Sequence, residues 1–265
     1  MKTGIIIPCY NEEKRLNVQI FLNFITEDNE FHLCFVNDGS KDNTITVLRE
    51  IQNSNPEKVS VIDMKKNSGK AAAVRAGVRY LSNRGDIDFI GFIDADLSTD
   101  FNDFNDLLHT LKTENNLAMV FGSRSKNGAQ KIKRDAFRSI FSMIIQTMVN
   151  FILHLPIQDS QCGAKVFRTE LATVLFAKNF FSRWLFDIEM FLRLKKYYGK
   201  EDVMNRIYEQ PLKRWVHVDD SKIGIKDAIK IPFRLASIWV NYNLTDLLSM
   251  EMTYNTVEPR IEVYA

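Results

Sequence analysis

Phe89-Ile90-Gly91-Phe92-Ile93-Asp94-Ala95-Asp96 is the stretch on which the reading of the chain turns. A short apolar run of this kind predicts a buried strand. This one delivers two carboxylates one residue apart. Side chains at i and i+2 share a face of an extended strand, so Asp94 and Asp96 are expected to point the same way at the strand's end. Two close carboxylates repel unless positive charge lies between them. A divalent cation that also holds a diphosphate satisfies them, and hard oxygen ligands suit Mg²⁺ or Mn²⁺. The plainer alternative is a strand-end turn with solvated acids, because Asp-x-Asp is common.

Working back toward the N-terminus, similar units recur. Gly4 to Cys9 holds Ile5-Ile6-Ile7 without alternation, as in a parallel sheet covered on both faces. Pro8 ends that strand. Tyr10-Asn11-Glu12-Glu13 is expected to open a helix capped by Asn11, with Leu16, Ile20, Phe21 and Phe24 inward. Phe31 to Val36 is a second strand closing on Asn37-Asp38-Gly39-Ser40. Asp42-Asn43-Thr44 starts the next helix, with Val47, Leu48 and Ile51 facing the core. Val59 to Asp63 is a third strand. Asn67-Ser68-Gly69-Lys70 then leads into an Ala- and Gly-rich helix that can pack close to a sheet. It is not a phosphate-binding P-loop, since Met64 and Ala71 replace the required Gly and Ser/Thr, and no strand carries GxGxxG.

Working forward, Phe101 to Thr113 predicts a helix and Ala118 to Phe121 a fifth strand ending at Gly122-Ser123-Arg124. This alternation predicts a Rossmann-like, doubly wound, mostly parallel α/β sheet. Such sheets bind ligands at the carboxyl ends of their strands. The polar clusters at 8–12, 37–40, 67–70, 94–96 and 122–124 all fall there.

Beyond Arg124 the character changes. Lys126, Lys131, Lys133, Arg134 and Arg138 form a basic stretch. A helix from about Arg138 to His154 stacks Ser142, Gln146, Asn150 and His154 on one face. Core packing and a membrane-surface position both remain open for it. Asp159-Ser160-Gln161-Cys162-Gly163 is a turn before a strand, Ala164 to Phe167. Arg183-Trp184-Leu185-Phe186-Asp187-Ile188-Glu189 begins another helix, and a long amphipathic helix runs from Ile225 to about Leu248. Residues 1–250 are expected to form one domain, with a nucleotide-sugar half (1–124), an acceptor half (125–250) and a tail at 251–265.

The 265 residues carry a net charge of +2, which disfavours nucleic acid as partner and confines any anion site to a local patch. Three scattered cysteines argue for a reducing compartment and against a disulfide framework or zinc site. The N-terminal apolar run ends in acids and reads as a strand, not a leader. No stretch offers about 20 uninterrupted apolar residues. A cytoplasmic location, peripheral on the inner face of a membrane, is the expectation.

Taken together, Ile7-Pro8-Cys9-Tyr10-Asn11-Glu12, Asn37-Asp38-Gly39-Ser40, Asn67 to Lys70, Asp94-Ala95-Asp96 and Gly122-Ser123-Arg124 resemble family 2 inverting glycosyltransferases of the GT-A fold. The second half, through Asp159 to Gly163, Arg183 to Glu189 and Trp215 to Ile223, looks like the polyprenyl-phosphate branch. Within that branch it is most like the dolichyl-phosphate β-glucosyltransferases. Ser-Gln-Cys-Gly stands where mannosyl relatives usually carry a Thr-Ser-Gly-Phe-like turn. Asn37 replaces an acid common before the Asp-Gly-Ser, and Ser98 stands where some mannosyl relatives carry a metal-coordinating Gln.

The resemblance implies an enzyme that moves a hexose, glucose from UDP-glucose being favoured, to a polyprenyl phosphate. Pro8, Tyr10, Glu12, Asp38, Lys70, Asp94, Ala95 and Arg124 would bind the nucleotide sugar, with Asp38 accepting from the base. Arg138, Ser142, Gln161 and Lys222 would bind acceptor or phosphate, with Ser221 and Lys222 in a closing loop. Asp94 and Asp96 would serve as catalytic acids and metal ligands. Asp187 would be the base if the acceptor were a sugar hydroxyl; capping its helix is the alternative. A soluble enzyme acting on a glycan hydroxyl, a GDP-mannose-using mannosyltransferase and an inactive nucleotide-sugar-binding module are the competing readings. Trp184 and Trp215 are expected in the core.

Overall fold

The computed structural model describes residues 1–27, 30–124, 136–214, 225–248 and 261–264. The strands are β1 (Thr3–Cys9), β2 (Phe31–Asn37), β3 (Val59–Met64), β4 (Phe89–Phe92), β5 (Met119–Ser123), β6 (Lys165–Arg168), β7 (Ile207–Pro211) and β8 (Ile261–Tyr264). The helices are α1 (Val18–Glu27), α2 (Thr44–Ser54), α3 (Lys70–Ser82), α4 (Phe101–Thr113), α5 (Ala136–Leu153), α6 (Ala172–Phe176), α7 (Phe186–Tyr198), α8 (Val203–Arg206) and α9 (Ile225–Leu248).

The eight strands among the described residues join one sheet in the order β7-β5-β6-β4-β1-β2-β3-β8. Strands β1 to β4 are mutually parallel, as expected, while β6 and β8 run antiparallel to their neighbours. The uninterrupted apolar run of β1 is explained by burial on both faces. Ile6 packs into a core with α3, α6 and α7, whereas Ile5 and Ile7 pack into a second core with α1, α2 and α4. The small residues of α3 do bring it close to the sheet. A Cβ on Gly77 would meet the Ile6 side chain at 2.7 Å.

The strand order reverses between β1 and β4, with β2 and β3 on one side of β1 and β4 on the other. A crevice opens at such a switch point outside the carboxyl ends of the strands. The register sets those ends nearly level, pairing Cys9 with Asn37, Asn37 with Asp63 and Ile6 with Phe92.

Several expectations are corrected. The helix after β1 starts at Val18, not at Tyr10, and Asn11 is no cap but has φ 52°. Ile20 is 42% exposed, and Ile25 takes the core position instead. The sheet is parallel only in part, because antiparallel β6 lies between β4 and β5. Residues 261–264, expected in a tail, pair with β3 as the edge strand β8.

Candidate active site

The loops after β1 and β2 are laced together before any ligand is considered. Ser40 Oγ accepts from the Asn11 amide at 3.0 Å and Asn11 Oδ1 accepts from the Lys41 amide at 2.9 Å. Thr44 Oγ1 accepts from the Glu12 amide at 2.8 Å, and Asp42 accepts from that of Glu13 at 3.2 Å. Asn11 thus takes a left-handed conformation, which Asn tolerates, and uses its side chain to bridge. Glu12 is buried beneath this lacing, and Pro8 and Tyr10 are half-buried beside it.

Asp38 sits at the end of β2, only 3% exposed, and accepts from the amides of Ser68 at 2.7 Å and Gly69 at 2.8 Å. Burial pushes its carboxyl pKa up, against the pull of those two donors. Its observed task is to hold the 67–69 loop. Gly39, at φ +61°, lets the turn press against the Lys66–Asn67 backbone. Asn37 donates to Asp63 at 2.7 Å, so the carboxylate absent from position 37 is supplied by the next strand.

Asp94 and Asp96 lie beyond β4, which ends at Phe92, on a turn in which Leu97 has φ 52°. Their directions are therefore set by the turn and not by strand alternation. Each faces a protein cation. Asp94 Oδ1 is 2.5 Å from Lys70 Nζ, at the start of α3. Its Oδ2 is pressed against Gly163, where a Cβ would collide with it. Asp96 Oδ1 accepts from the Ser98 amide at 3.0 Å and hydroxyl at 2.9 Å. Its Oδ2 faces Arg15 Nη2 at 3.6 Å. Burial opposes charge on Lys70, yet Asp94, Asp187 and Asp96 together raise its pKa. Buried Ala95 links the two acids.

The second half frames this corner. Arg183 donates to the Ser68 and Asn67 carbonyls at 2.9 Å each, clamping the loop that Asp38 holds from below. Gly69, at φ +95°, makes room, since a Cβ there would meet Arg183 at 2.8 Å. Asp187, 7% exposed at its side chain, lies 2.7 Å from the Nζ of wholly buried Lys165. The contact lacks hydrogen-bond geometry at Asp187 Oδ1. Lys165 also donates to the Cys162 carbonyl at 2.6 Å. That one ammonium joins the 159–163 turn to the start of α7. Two residues on, Glu189 accepts from the amides of Phe181 and Ser182 and from the Tyr242 hydroxyl on α9.

Arg124, expected beside a departing diphosphate, turns instead to Asp159 in a two-pronged contact with both bonds at 2.7 Å. That carboxylate raises the guanidinium's pKa, against the cost of burial. Gln161 is exposed on its turn. Trp184 is 41% exposed, not in the core. Asp187 does not cap α7, because its carboxylate faces Lys165. The side chains of Arg138 and Ser142 on α5 lie outside the described residues, as do the basic stretch 126–134, Trp215, Ser221 and Lys222. Sequence reasoning missed Arg15 and Lys165. For Arg15 the i,i+3 spacing from Glu12 was a signal in the sequence, but its contact with Asp96 and that of Lys165 with Asp187 join separate elements.

An α/β sheet of this order, with an acid pair at its switch point, has the architecture of the GT-A glycosyltransferases. The chain belongs to glycosyl transferase family 2, whose family model matches residues 4–176. It is 32% identical over 252 residues to a dolichyl-phosphate beta-glucosyltransferase of Trichomonas vaginalis, covering 91% of this chain and 71% of that one. A dolichyl-phosphate beta-glucosyltransferase of Dictyostelium discoideum is 30% identical over 259 residues, covering 89% and 76%. Among solved structures, the fold is similar to glucosyl-3-phosphoglycerate synthase from Mycobacterium tuberculosis in complex with Mn²⁺, uridine diphosphate and phosphoglyceric acid. The TM-score is 0.67 at 15% identity, covering 91% of this chain and 78% of that one. The GT-A architecture expected from the motifs is the one observed.

Proposed function

We propose that this protein transfers glucose from UDP-glucose to a polyprenyl phosphate of the dolichyl type, with inversion at the anomeric carbon. The observation that carries the proposal is the acid pair at the β1/β4 switch point, each acid already faced by a protein cation. Relatives at 30–32% identity over most of the chain support the sugar and the acceptor.

In this reading the lipid phosphate attacks the anomeric carbon from the face opposite the nucleotide. The new C–O bond forms as the bond to UDP breaks, and UDP leaves with the electron pair. A phosphomonoester, with a second pKa near ~6, is largely a dianion at neutral pH and needs no base to activate it. Asp187 is then not a base, which suits a carboxylate held against Lys165. Pro8, Tyr10 and Glu12 line the nucleotide side, with Asp38 holding the loop beneath the base. Lys70 keeps Asp94 in place beside the sugar and ribose.

The donors fit Mg²⁺ or Mn²⁺. No group of three His, Cys, Asp or Glu side chains converges among the described residues. Mg²⁺ is bound through one or two carboxylates plus substrate phosphates and water, which is what Asp96 Oδ2 offers. When bound, such a cation neutralises charge growing on the departing diphosphate. Asp94, turned to Lys70, would be the weaker ligand.

The acceptor reaches the site from a bilayer in this reading. No described helix is long and apolar enough to cross a membrane. Helix α9 nevertheless exposes Phe233 (72%) and Val240 (44%), with Trp239 beside them and exposed Lys230 one turn before Phe233. Phe151, on neighbouring α5, is exposed too. An apolar face edged by basic groups suits the interface of an anionic membrane.

The test is incubation with labelled UDP-glucose or GDP-mannose, Mn²⁺ and a short polyprenyl phosphate. The expected product is an acid-labile glucolipid formed from UDP-glucose alone. Transfer from GDP-mannose, or only to an oligosaccharide, would overturn the proposal.

A further inference from the structure

Arg15 occupies the crevice from the β1 side. Its backbone amide and that of Leu16 both donate to the Glu12 carbonyl at 2.9 Å, which winds residues 12–16 into a turn. The turn is held from outside by Thr44 and Asp42 and from below by Leu16, which is 9% exposed. Arg15 is therefore aimed by a rigid base, although its tip is long. Nη2 lies 3.6 Å from Asp96 Oδ2 and Nε 3.6 Å from Glu12 Oε2. The guanidinium thus crosses the switch point, from the loop after β1 to the acid after β4.

The contact differs in kind from that of Lys70 with Asp94. At 3.6 Å it is longer than a hydrogen bond, whereas Lys70 and Asp94 are in direct contact, although both pairs are partly exposed. A partly exposed pair without a hydrogen bond contributes little to stability, so little is lost when its partners part. Asp96 Oδ1 is fastened by Ser98, so Oδ2 is the oxygen turned to the crevice. Arg15 lies where a divalent cation on Oδ2 would have to sit or be approached. With a dication there, the guanidinium is repelled, and its forked donors match the nearest anion that comes with the nucleotide.

We propose that Arg15 is a substrate-contact residue. It neutralises Asp96 while the crevice holds no nucleotide and turns to the diphosphate of a nucleoside diphosphate when metal and nucleotide bind. The proposal rests on reading the crevice as a nucleotide-sugar site. It makes two opposite demands on one side chain. Arg15 competes with metal for Asp96 in the absence of nucleotide, and it holds the diphosphate in its presence.

Calorimetry on the full chain tests both. Mn²⁺ alone is titrated into the wild type, Arg15→Met and Arg15→Lys, followed by UDP at saturating Mn²⁺. Arg15→Met should bind Mn²⁺ alone several-fold more tightly than the wild type. It should bind UDP roughly tenfold or more weakly, the loss expected for one charge-assisted hydrogen bond. Arg15→Lys should fall between on both measurements, and it serves as the readout if the Met variant does not fold. Weaker Mn²⁺ binding in the variants would make Arg15 a fixed support of Asp96 and overturn the exchange. Unchanged UDP binding would overturn the diphosphate contact. A wild type that binds UDP with Mn²⁺ while the variants match it defeats this inference alone. A wild type that binds no nucleotide defeats the site reading and this inference with it.

Discussion

Asp94 and Asp96 stand two residues apart in unlike surroundings. The Asp94 corner is built from three distant parts of the chain. Lys70 comes from the start of α3, Gly163 from the turn before β6, and Lys165 with Asp187 braces that turn from behind. The Asp96 corner is local on one side, through Ser98, and loose on the other, through Arg15. One acid is part of the frame. The other keeps an oxygen whose partner can change, as a site that binds and releases a charged ligand requires. Function draws on the less stable parts of a structure for this reason.

The comparison can be broken most forcefully at Lys165. Lys165→Met leaves Asp187 buried without its counter-ion and should cost about 3–5 kcal/mol of stability, read by denaturant unfolding. Adding Asp187→Leu should recover most of that loss, because the pair's two desolvation costs vanish together. A single variant as stable as the wild type would remove the brace from the account.

Next in size is Asp96→Ala. Loss of its electrostatic contribution should slow transfer by ~3 kcal/mol or more, at least a hundredfold in kcat. Its melting temperature should stay near that of the wild type, whereas Asp94→Ala, which strands Lys70, should lower it. Equal melting behaviour in the two variants would erase the distinction between the corners.

A smaller effect is expected at Gly163→Ala. The added Cβ meets Asp94 Oδ2, and something must move. Overpacking of this kind costs about 1–3 kcal/mol of stability, read by denaturant unfolding, and the displaced Asp94 carboxylate should weaken UDP binding as well. Unaltered UDP affinity would show that Asp94 has room to spare.

The smallest effect lies far from both corners. His32 is 1% exposed at the other end of the sheet, close to Ser60 Oγ at 2.9 Å. Burial, assisted by Arg84 and Lys2, lowers its pKa to about 4. The unfolded chain, with an ordinary His near ~6.5, binds more protons between those values. Stability is therefore present above pH 6.5 and falls as pH drops toward 4, by about 1.2 kcal/mol between pH 6 and pH 5. Replacing His32 with Phe or Gln should flatten that slope in urea melts while leaving the pH profile of transfer unchanged. A slope that survives the replacement would assign it to other groups.

Much of the donor edge was legible. Apolar runs such as Ile5-Ile6-Ile7 and Phe89-Ile90 announce buried strands, and Phe101–Thr113 is a helix at the bounds its periodicity implies. The edge strands β7 and β8 were missed. They are short, and each pairs with a single neighbour, so little apolar pattern is needed to hold them. The cap expected at Asn11 failed because lacing to Ser40 and Lys41 outweighed a local preference. Arg124 was legible as a cation at a strand end. Its partner was not, because Asp159 arrives from the turn that precedes β6.

The sequence alone determined that this is an alternating α/β chain of the family 2 type, with acids gathered at the carboxyl ends of its strands. That information is local, carried by periodicity, punctuation and motif spacing. Only the tertiary structure decided which cation stands before which acid. Arg15 meets Asp96, and Lys165 meets Asp187, because the strand order reverses between β1 and β4 and antiparallel β6 returns beside them. Charge acts through space, and the distances over which it acts exist only once the crossovers have closed.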